Sequence, residues 1–148
     1  MTSSQIKFPK VPRSITVYTD AACRNNPGPA AIGYAVYDTS GTCLESNAKY
    51  IGTQTNNVAE YEALLWGMDQ ACAHCRENVV FHSDSELVVR QVNGDWRVKK
   101  DHLRPLVEKV LTKRSLFKSY QLLHLPRTNK SIAAVDKMVN DVLDKAGF

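Results

Sequence analysis

Apolar and polar positions alternate near the start of the chain, and this pattern predicts consecutive strands. The alternation over residues 15–18 predicts a first strand, whose pattern ends at Asp20. Turn-forming residues, NNPGP at 25–29, separate it from a second strand over 31–38. A Gly-Thr hairpin turn then leads into a third strand over about 43–51. Three strands joined by short turns predict an antiparallel meander.

The first helix is predicted after the polar loop 52–57, in which Thr55, Asn56 and Asn57 are candidate N-caps. Its apolar residues are spaced three and four apart, as on one face of a helix, and Asn78 is expected to end it. This stripe comprises Val58, Tyr61, Leu65, Met68, Cys72 and Cys75.

Two more helices are predicted in the middle of the chain. A short apolar strand over 79–82 precedes Asp84, and a helix follows over about 86–93. Asp101 is the candidate cap of the third helix, with Pro105 in its first turn. The expected buried face of that helix comprises Leu103, Leu106, Val107, Val110 and Leu111.

A fifth strand over 120–125 and a last helix from near Ser131 complete the pattern. The stripe of this helix comprises Ile132, Val135, Val139, Val142 and Ala146. The element order is therefore β-β-β-α-β-α-α-β-α. A meander followed by alternating elements predicts an α/β fold, a mixed five-stranded sheet with helices on both faces.

Length and composition fit one globular domain. The chain has 148 residues, of which 43% are hydrophobic and 23% charged. Residues 1–13 are expected to form a flexible arm, and residues 14–148 the domain itself. The arm lacks the apolar core of a secretory signal, and no apolar run is as long as a membrane span. We therefore expect a cytoplasmic protein, without membrane contact, that acts as a monomer.

Charge is distributed unevenly along the chain. Residues 14–96 carry four basic and ten acidic residues, whereas residues 97–118 carry eight basic and two acidic residues. An acidic part that could hold cations is thus followed by a basic segment that could hold a polyanion. The ordinary alternative for the basic segment is a solvated helix face.

The four cysteines include one close pair, Cys72 and Cys75, in a C-x-x-C pattern. No second pair completes a tetrahedral zinc site. Because both residues belong to the apolar stripe of the first helix, we interpret them as buried core thiols rather than metal or redox groups.

Four acids stand at predicted element boundaries: Asp20, Glu60, Asp84 and Asp136. Each has an ordinary explanation alone, such as turn chemistry for Asp20, a dipole-favoured first-turn acid for Glu60, and helix capping for Asp84. If the first and fourth strands are parallel neighbours, Asp20 and Asp84 come together. Converging carboxylates repel unless cations lie between them, and hard oxygen ligands suit Mg²⁺ or Mn²⁺. Two such ions about 3.5–4 Å apart can support phosphodiester hydrolysis.

The chain resembles the ribonuclease H type 1 family. Four segments look like the successive motifs of that family, in the same order, over residues 15–146: TDAACRNNPGPAAIGY, TNNVAEYEALLWGM, SDSELVVRQVNGDW and LPRTNKSIAAVDKMVNDVLDKA. The resemblance implies the ribonuclease H fold and an endonuclease that cleaves the RNA strand of RNA/DNA hybrids. It also implies Mg²⁺ or Mn²⁺ as cofactor, with two ions bound alongside substrate, and products with 5′-phosphate and 3′-hydroxyl ends.

Matching residues extend the resemblance to the site. It implies that the catalytic metal ligands are Asp20, Glu60, Asp84 and Asp136, with Asp20 bridging both ions. Further matches imply contacts to substrate: to the RNA strand by Asn26, Asn57 and Glu86, to the DNA strand by Thr55 and Asn56, and to the hybrid backbone by Trp96, Lys99 and Lys100. The 2′-hydroxyl is the group by which such a site distinguishes RNA from DNA.

Some positions depart from the family pattern. Ala21 stands where the family commonly has glycine, and Glu86 where many members have glutamine. The loop between Arg127 and Asp136 is longer than the family pattern, so both His124 and Arg127 are candidates for the product-release residue, as is Lys130. The segment 95–105 is too short for the extra basic helix of some members, and the arm is too short for a hybrid-binding domain.

Two other functions are consistent with the same residues. One is a non-catalytic module that binds hybrids or duplexes, although an unused acidic cluster would repel a phosphate backbone. The other is an enzymatic domain detached from a reverse transcriptase, whose chemistry would be the same.

Overall fold

The computed structural model describes residues 11–148 and contains the predicted five strands and four helices. Most of the predicted arm, residues 1–10, lies outside the described residues. The strands are β1 (Ser14–Cys23), β2 (Gly28–Tyr37), β3 (Cys43–Gln54), β4 (Asn78–Ser83) and β5 (Ser119–His124). The helices are α1 (Asn56–Ala71), α2 (Glu86–Val92), α3 (Arg104–Lys113) and α4 (Lys130–Lys145). Within the described residues, no helix combines the length and apolar character of a membrane span.

The strands form one mixed sheet in the order β3-β2-β1-β4-β5. The β1–β2 and β2–β3 pairs are antiparallel, which confirms the predicted meander. β4 is parallel to both β1 and β5. The pairing of β1 with β4 ends at Thr19 and Ser83, so Asp20 and Asp84 are the next residues on two neighbouring segments.

Helices cover both faces of the sheet, as predicted. Tyr34 of β2 is fully buried in the larger core cluster, which includes buried side chains from α1, α2 and α3. The preceding residue, Gly33, faces Val135 and Val139 of α4. Because consecutive strand residues point to opposite faces, α1 and α4 lie on opposite sides of β2.

Two glycines allow these helices to approach the central strands closely. A Cβ on Gly33 would lie 2.8 Å from Val139 Cγ1, and a Cβ on Gly67 of α1 would lie 2.7 Å from Thr19 Cγ2. Such distances are too short for carbon atoms in contact. The absence of both side chains therefore brings α1 and α4, and the acids they carry, near the end of β1–β4 pairing.

We expect Gly33→Ala to destabilise the protein by about 1–3 kcal/mol, because the added methyl overpacks the contact with α4. Urea unfolding measures the change. Val139→Ala removes the opposing methyl groups, so the double variant should regain part of the free energy of unfolding that Gly33→Ala loses. A Gly33→Ala variant with the parent's urea midpoint would show that α4 is not held this closely.

The first helix ends earlier than its apolar stripe indicated. α1 ends at Ala71, and Cys72 to His74 form a turn before β4, which begins at Asn78. Cys75 is 2% exposed and Cys72 packs partly against the same core. The apolar stripe extends beyond α1 because the turn after the helix also packs against the core. Apolar spacing indicates which residues are buried and does not indicate where helical hydrogen bonds end. All four cysteines are free thiols.

The start of α3 also differs from prediction. Asp101 does not cap the helix: its Oδ1 accepts from Arg104 Nε at 3.2 Å, and a 3-10 turn, Asp101–Leu103, precedes α3. Pro105 lies in the first turn, as predicted. A proline there needs no backbone donor, so the helix can begin without a side-chain cap.

Candidate active site

Asp20 lies inside β1 rather than at the strand end that the alternation indicated. Its backbone pairs with Gly33, and β1 continues to Cys23 alongside β2. The alternating pattern stopped because β4 no longer pairs with β1 beyond Thr19. The Asp20 side chain projects from this interrupted sheet and the residue is 2% exposed. A carboxylate so deeply buried calls for a partner.

The ordinary explanations for Asp84 and Glu60 do not hold. Ser85, not Asp84, caps α2, because Ser85 Oγ accepts from Val88 N at 3.3 Å. Glu60 belongs to the second turn of α1 rather than the first, which contains no acid. The cap of α1 is Thr55, one of the predicted candidates.

Asp20, Glu60 and Asp84 meet in one carboxylate cluster, in which one oxygen of each lies within 4.8 Å of the others. Three buried oxygens have no hydrogen-bond partner: Asp20 Oδ2, Glu60 Oε1 and Asp84 Oδ1. Burial, followed by the charge of Asp84, raises the pKa of Asp20 to about 9. Burial, followed by the charge of Asp20, raises the pKa of Glu60 well above its usual value. The cluster is thus short of positive charge.

A divalent cation fits this donor set. The three carboxylates lie close together and each has a buried oxygen without a hydrogen-bond donor, which matches the oxygen ligands that hard cations such as Mg²⁺ and Mn²⁺ prefer. A bound cation would also reverse the electrostatic cost of the cluster, because each carboxylate would then be favoured in its charged form.

Asp136 lies at the same site but outside the close cluster. It lines a cavity of about 470 Å³ together with Glu60 and Asp84. Its charge contributes to the raised pKa of Asp20. Asp136 Oδ1 accepts from Asn140 Nδ2 at 3.1 Å, one helical turn further along α4. The structure therefore brings all four predicted acids to one site, with three in direct proximity.

Arg127 brings a positive charge to this site. Its Nε donates to Asp84 Oδ2 at 3.3 Å, and its side chain is 80% exposed whereas that of Asp84 is 5% exposed. This bond raises the pKa of Arg127, and the guanidinium charge partly offsets the rise in the pKa of Glu60. Among the described residues that line the cavity, Arg127 is present and His124, the other product-release candidate, is not.

Several predicted substrate residues lie at the rim of the acidic cavity. Asn56 and Asn57 line it, at the start of α1. Asn26 Oδ1 accepts from the backbone N–H of Asn56 at 3.0 Å, which joins the β1–β2 turn to this helix. Thr55 uses its hydroxyl oxygen as the helix cap.

A second cavity, of about 540 Å³, adjoins the first through Asn57. Trp96, Lys99 and Lys100 line it, and Trp96 is 43% exposed. Glu86 lines neither of these two cavities in the described structure, and its carboxylate accepts from Arg90 Nε at 3.2 Å instead. A basic, partly aromatic surface thus continues from the acidic cavity.

Two residues of this site, Arg24 and Asn140, were not predicted from the sequence. Both line the acidic cavity, and Arg24 Nη1 donates to Asn140 Oδ1 at 2.6 Å. Asn140 follows Asp136 by four residues on a helix, and this spacing was a usable signal. Arg24 lies 116 residues from Asn140 in sequence, and no pattern linked them.

Known proteins resemble this chain in both sequence and fold. The family model described as reverse transcriptase-like matches residues 18–140. A bifunctional protein of Mycobacterium tuberculosis is 35% identical over 133 residues, which are 89% of this chain and 36% of that protein. The chain thus spans about a third of the length of this curated relative.

Two solved structures match almost over their full length. The crystal structure of RNase H1 from the archaeon Halobacterium salinarum has a TM-score of 0.84 and 30% identity, covering 89% of this chain and 98% of its own. LC11-RNase H1, solved in complex with an RNA/DNA hybrid, has a TM-score of 0.83 and 35% identity. The match covers 90% of this chain and 99% of the LC11 chain.

Proposed function

The chain belongs to the ribonuclease H type 1 family, and we propose that it is an endoribonuclease that hydrolyses the RNA strand of RNA/DNA hybrids. Residues 14–148 would form the catalytic domain. The observation that carries the proposal is the cluster of Asp20, Glu60 and Asp84 beside a cavity, in which each carboxylate has a buried oxygen without a hydrogen-bond partner. Action as a monomer and a cytoplasmic location stay predictions from the sequence.

We propose Mg²⁺ as the natural cofactor, with Mn²⁺ as substitute and two ions in the presence of substrate. Asp20, Glu60, Asp84 and Asp136 would hold them. Divalent ions bound there would lower the pKa of a water molecule and stabilise the charge that develops on the phosphate. The protein's part is to supply four negative charges on rigid elements, two from the sheet region and two from helices on opposite faces.

Polar groups at the cavity rim would recognise the two strands of the hybrid. Asn26 and Asn57 would hydrogen-bond 2′-hydroxyls and phosphates of the RNA strand, and Asn56 a phosphate of the DNA strand. Asn26 is fixed by the N–H of Asn56, which limits its reorientation. Glu86, held by Arg90, would reach the RNA only after that ion pair opens.

Arg127 would act at product release. Its guanidinium neutralises Asp84 through Oδ2 in the protein alone, and a cation that used both carboxylate oxygens would displace it. Its return to Asp84 would then favour release of the product. The Arg127 side chain is 80% exposed and can move away without disturbing packing, whereas the buried Asp84 carboxylate would need a cation in its place.

Cleavage of labelled duplexes tests the proposal against its alternative, a non-catalytic binding module. The RNA strand of a hybrid should be cut in Mg²⁺ or Mn²⁺ and left intact in EDTA, and the DNA strand should be left intact throughout. Tight hybrid binding without turnover in either metal would instead support the binding module.

We expect Lys99→Ala/Lys100→Ala to weaken hybrid binding and reduce its salt dependence. Removing a lysine that pairs with a phosphate should lower the slope of log affinity against log salt by about one. Filter binding in EDTA at several salt concentrations measures this slope. Lys145→Ala, an exposed lysine in the last turn of α4 that lines neither cavity, is the control. An unchanged slope in the double variant would exclude both lysines from the interface.

A further inference from the structure

Arg24 connects the turn after β1 to the far side of the acidic site. Its guanidinium donates to Asn140 Oδ1 at 2.6 Å and to Asp144 Oδ1 at 2.8 Å, both on α4. Its Nε donates to the backbone oxygen of Phe148 at 3.2 Å. Its backbone N–H is fixed too, because it donates to Pro29 O at 2.8 Å across the turn. Arg24 is therefore held at both ends.

These contacts determine which way the Asn140 amide faces. A guanidinium can only donate hydrogen bonds, so the amide oxygen of Asn140 must face Arg24. The amide nitrogen then faces Asp136, where it donates to the side-chain oxygen Oδ1 at 3.1 Å and to the backbone oxygen at 2.9 Å. The reversed amide would place an acceptor against the Asp136 carboxylate and a donor against the guanidinium.

We propose that Arg24 is a positioning residue for Asp136, acting through Asn140. Arg24 sets the orientation of the amide, and the amide in turn fixes the Asp136 carboxylate beside the acidic cavity. The inference rests on the proposed function, in which Asp136 is the fourth carboxylate of the site. It assigns a role to a residue 112 positions before Asp136 in the sequence.

The geometry explains why a charged donor is needed here. Asp136 lies outside the close cluster, and its carboxylate accepts a hydrogen bond from Asn140 Nδ2. A neutral asparagine without Arg24 could rotate and present its oxygen to Asp136. The ion pair of Arg24 with Asp144 keeps the guanidinium on α4, and its side chain is 30% exposed.

Arg24→Met tests the role, with Lys137→Met as the matched control. Lys137 forms an exposed ion pair with Asp141 on the same helix, so the control removes one cation from α4 without touching Asn140. We expect Arg24→Met to lower kcat for hybrid cleavage about 10- to 100-fold, as loss of residues that orient metal ligands does. KM should stay within about twofold, because the substrate contacts are unchanged. The control should retain the parent's kcat and KM.

Two further readouts separate positioning from other roles. In nuclear magnetic resonance spectra without metal, the side-chain amide protons of Asn140 should exchange slowly with water in the parent and in Lys137→Met. They should exchange faster in Arg24→Met. In a double-variant cycle, Arg24→Met should add nothing to the loss in kcat caused by Asn140→Ala. The inference would be overturned if Arg24→Met left the exchange of the Asn140 amide protons unchanged or raised KM. It would also be overturned if the losses in kcat of Arg24→Met and Asn140→Ala multiplied in the double variant.

Asp136→Asn distinguishes failure of the inference from failure of the proposed function. If the parent cleaves no hybrid in either Mg²⁺ or Mn²⁺, the proposed function fails. If the parent cleaves hybrids and Asp136→Asn cleaves them at the same rate, Asp136 has no catalytic role, so the inference fails while the proposed activity stands. If Asp136→Asn is inactive while Arg24→Met keeps the parent's kcat, only the role of Arg24 is wrong.

Discussion

Asp84→Asn should lower the rate of hybrid cleavage by at least about 10³-fold, since loss of a metal ligand removes several kcal/mol of transition-state stabilisation. Asp84 contributes a buried, unpartnered oxygen to the carboxylate cluster, and an amide supplies neither its charge nor the same affinity for a cation. Single-turnover cleavage in saturating Mg²⁺ measures the effect. Hybrid binding in EDTA should be retained or strengthened, because one charge that repels phosphate has been removed.

Asp69→Asn is the matched control for this prediction. It makes the same chemical change in an acid of α1 whose partner is Lys113, away from the cavity. The control should cleave at close to the parent's rate. An Asp84→Asn variant within about tenfold of the parent in the same assay would remove Asp84 from the proposed metal site.

Asp20→Asn should stabilise the metal-free protein by roughly 2–4 kcal/mol near pH 7, even though it abolishes cleavage. The folded-state pKa of Asp20 is raised to about 9, mainly by burial, against about 3.9 in an unfolded chain. Between these values the folded protein holds a proton that the unfolded chain releases. The parent's stability should therefore fall as pH rises from about 4 to about 9.

Chemical unfolding in EDTA at several pH values tests this prediction. In Asp20→Asn the free energy of unfolding should fall much less as pH rises. Some decline should remain, because the raised pKa of Glu60 also lowers stability at higher pH. Asp38 provides a control of opposite sign, because hydrogen bonds from Ser40 and Thr42 lower its pKa. Asp38→Asn should not raise the free energy of unfolding at pH 7. The prediction is wrong if Asp20→Asn is less stable than the parent at pH 8.

The fold followed from local patterns because each element carries its own signal. The short turns made the three antiparallel strands neighbours, and the apolar run over 79–82 indicated the fourth strand. The meeting of Asp20 with Asp84 depended on a condition, that β1 and β4 are parallel neighbours, which the sheet satisfies. For Glu60 and Asp136, the motifs of the family indicated a shared site before any distance was known.

What the sequence could not supply were contacts between distant side chains. Asp20 lies within β1 because β2 still pairs with β1 at that residue. The alternation of apolar and polar residues instead ended where the pairing of β1 with β4 ends. Ser85 rather than Asp84 became the cap, a choice between two adjacent residues with similar propensities. The contacts of Arg24 with α4 join residues more than 100 positions apart. Such contacts follow from the assembled fold and leave no local period.

The chemistry of the cleaved ends tests the central claim, that a carboxylate site holding divalent ions hydrolyses RNA in hybrids. Mass spectrometry of the RNA fragments from a hybrid cut in Mg²⁺ identifies these ends. Hydrolysis by water at the metal site predicts 5′-phosphate and 3′-hydroxyl ends on the RNA strand alone. Ends with 2′,3′-cyclic phosphate and 5′-hydroxyl groups would show attack by the 2′-hydroxyl instead. Those ends, or no cleavage in either Mg²⁺ or Mn²⁺, would contradict the claim.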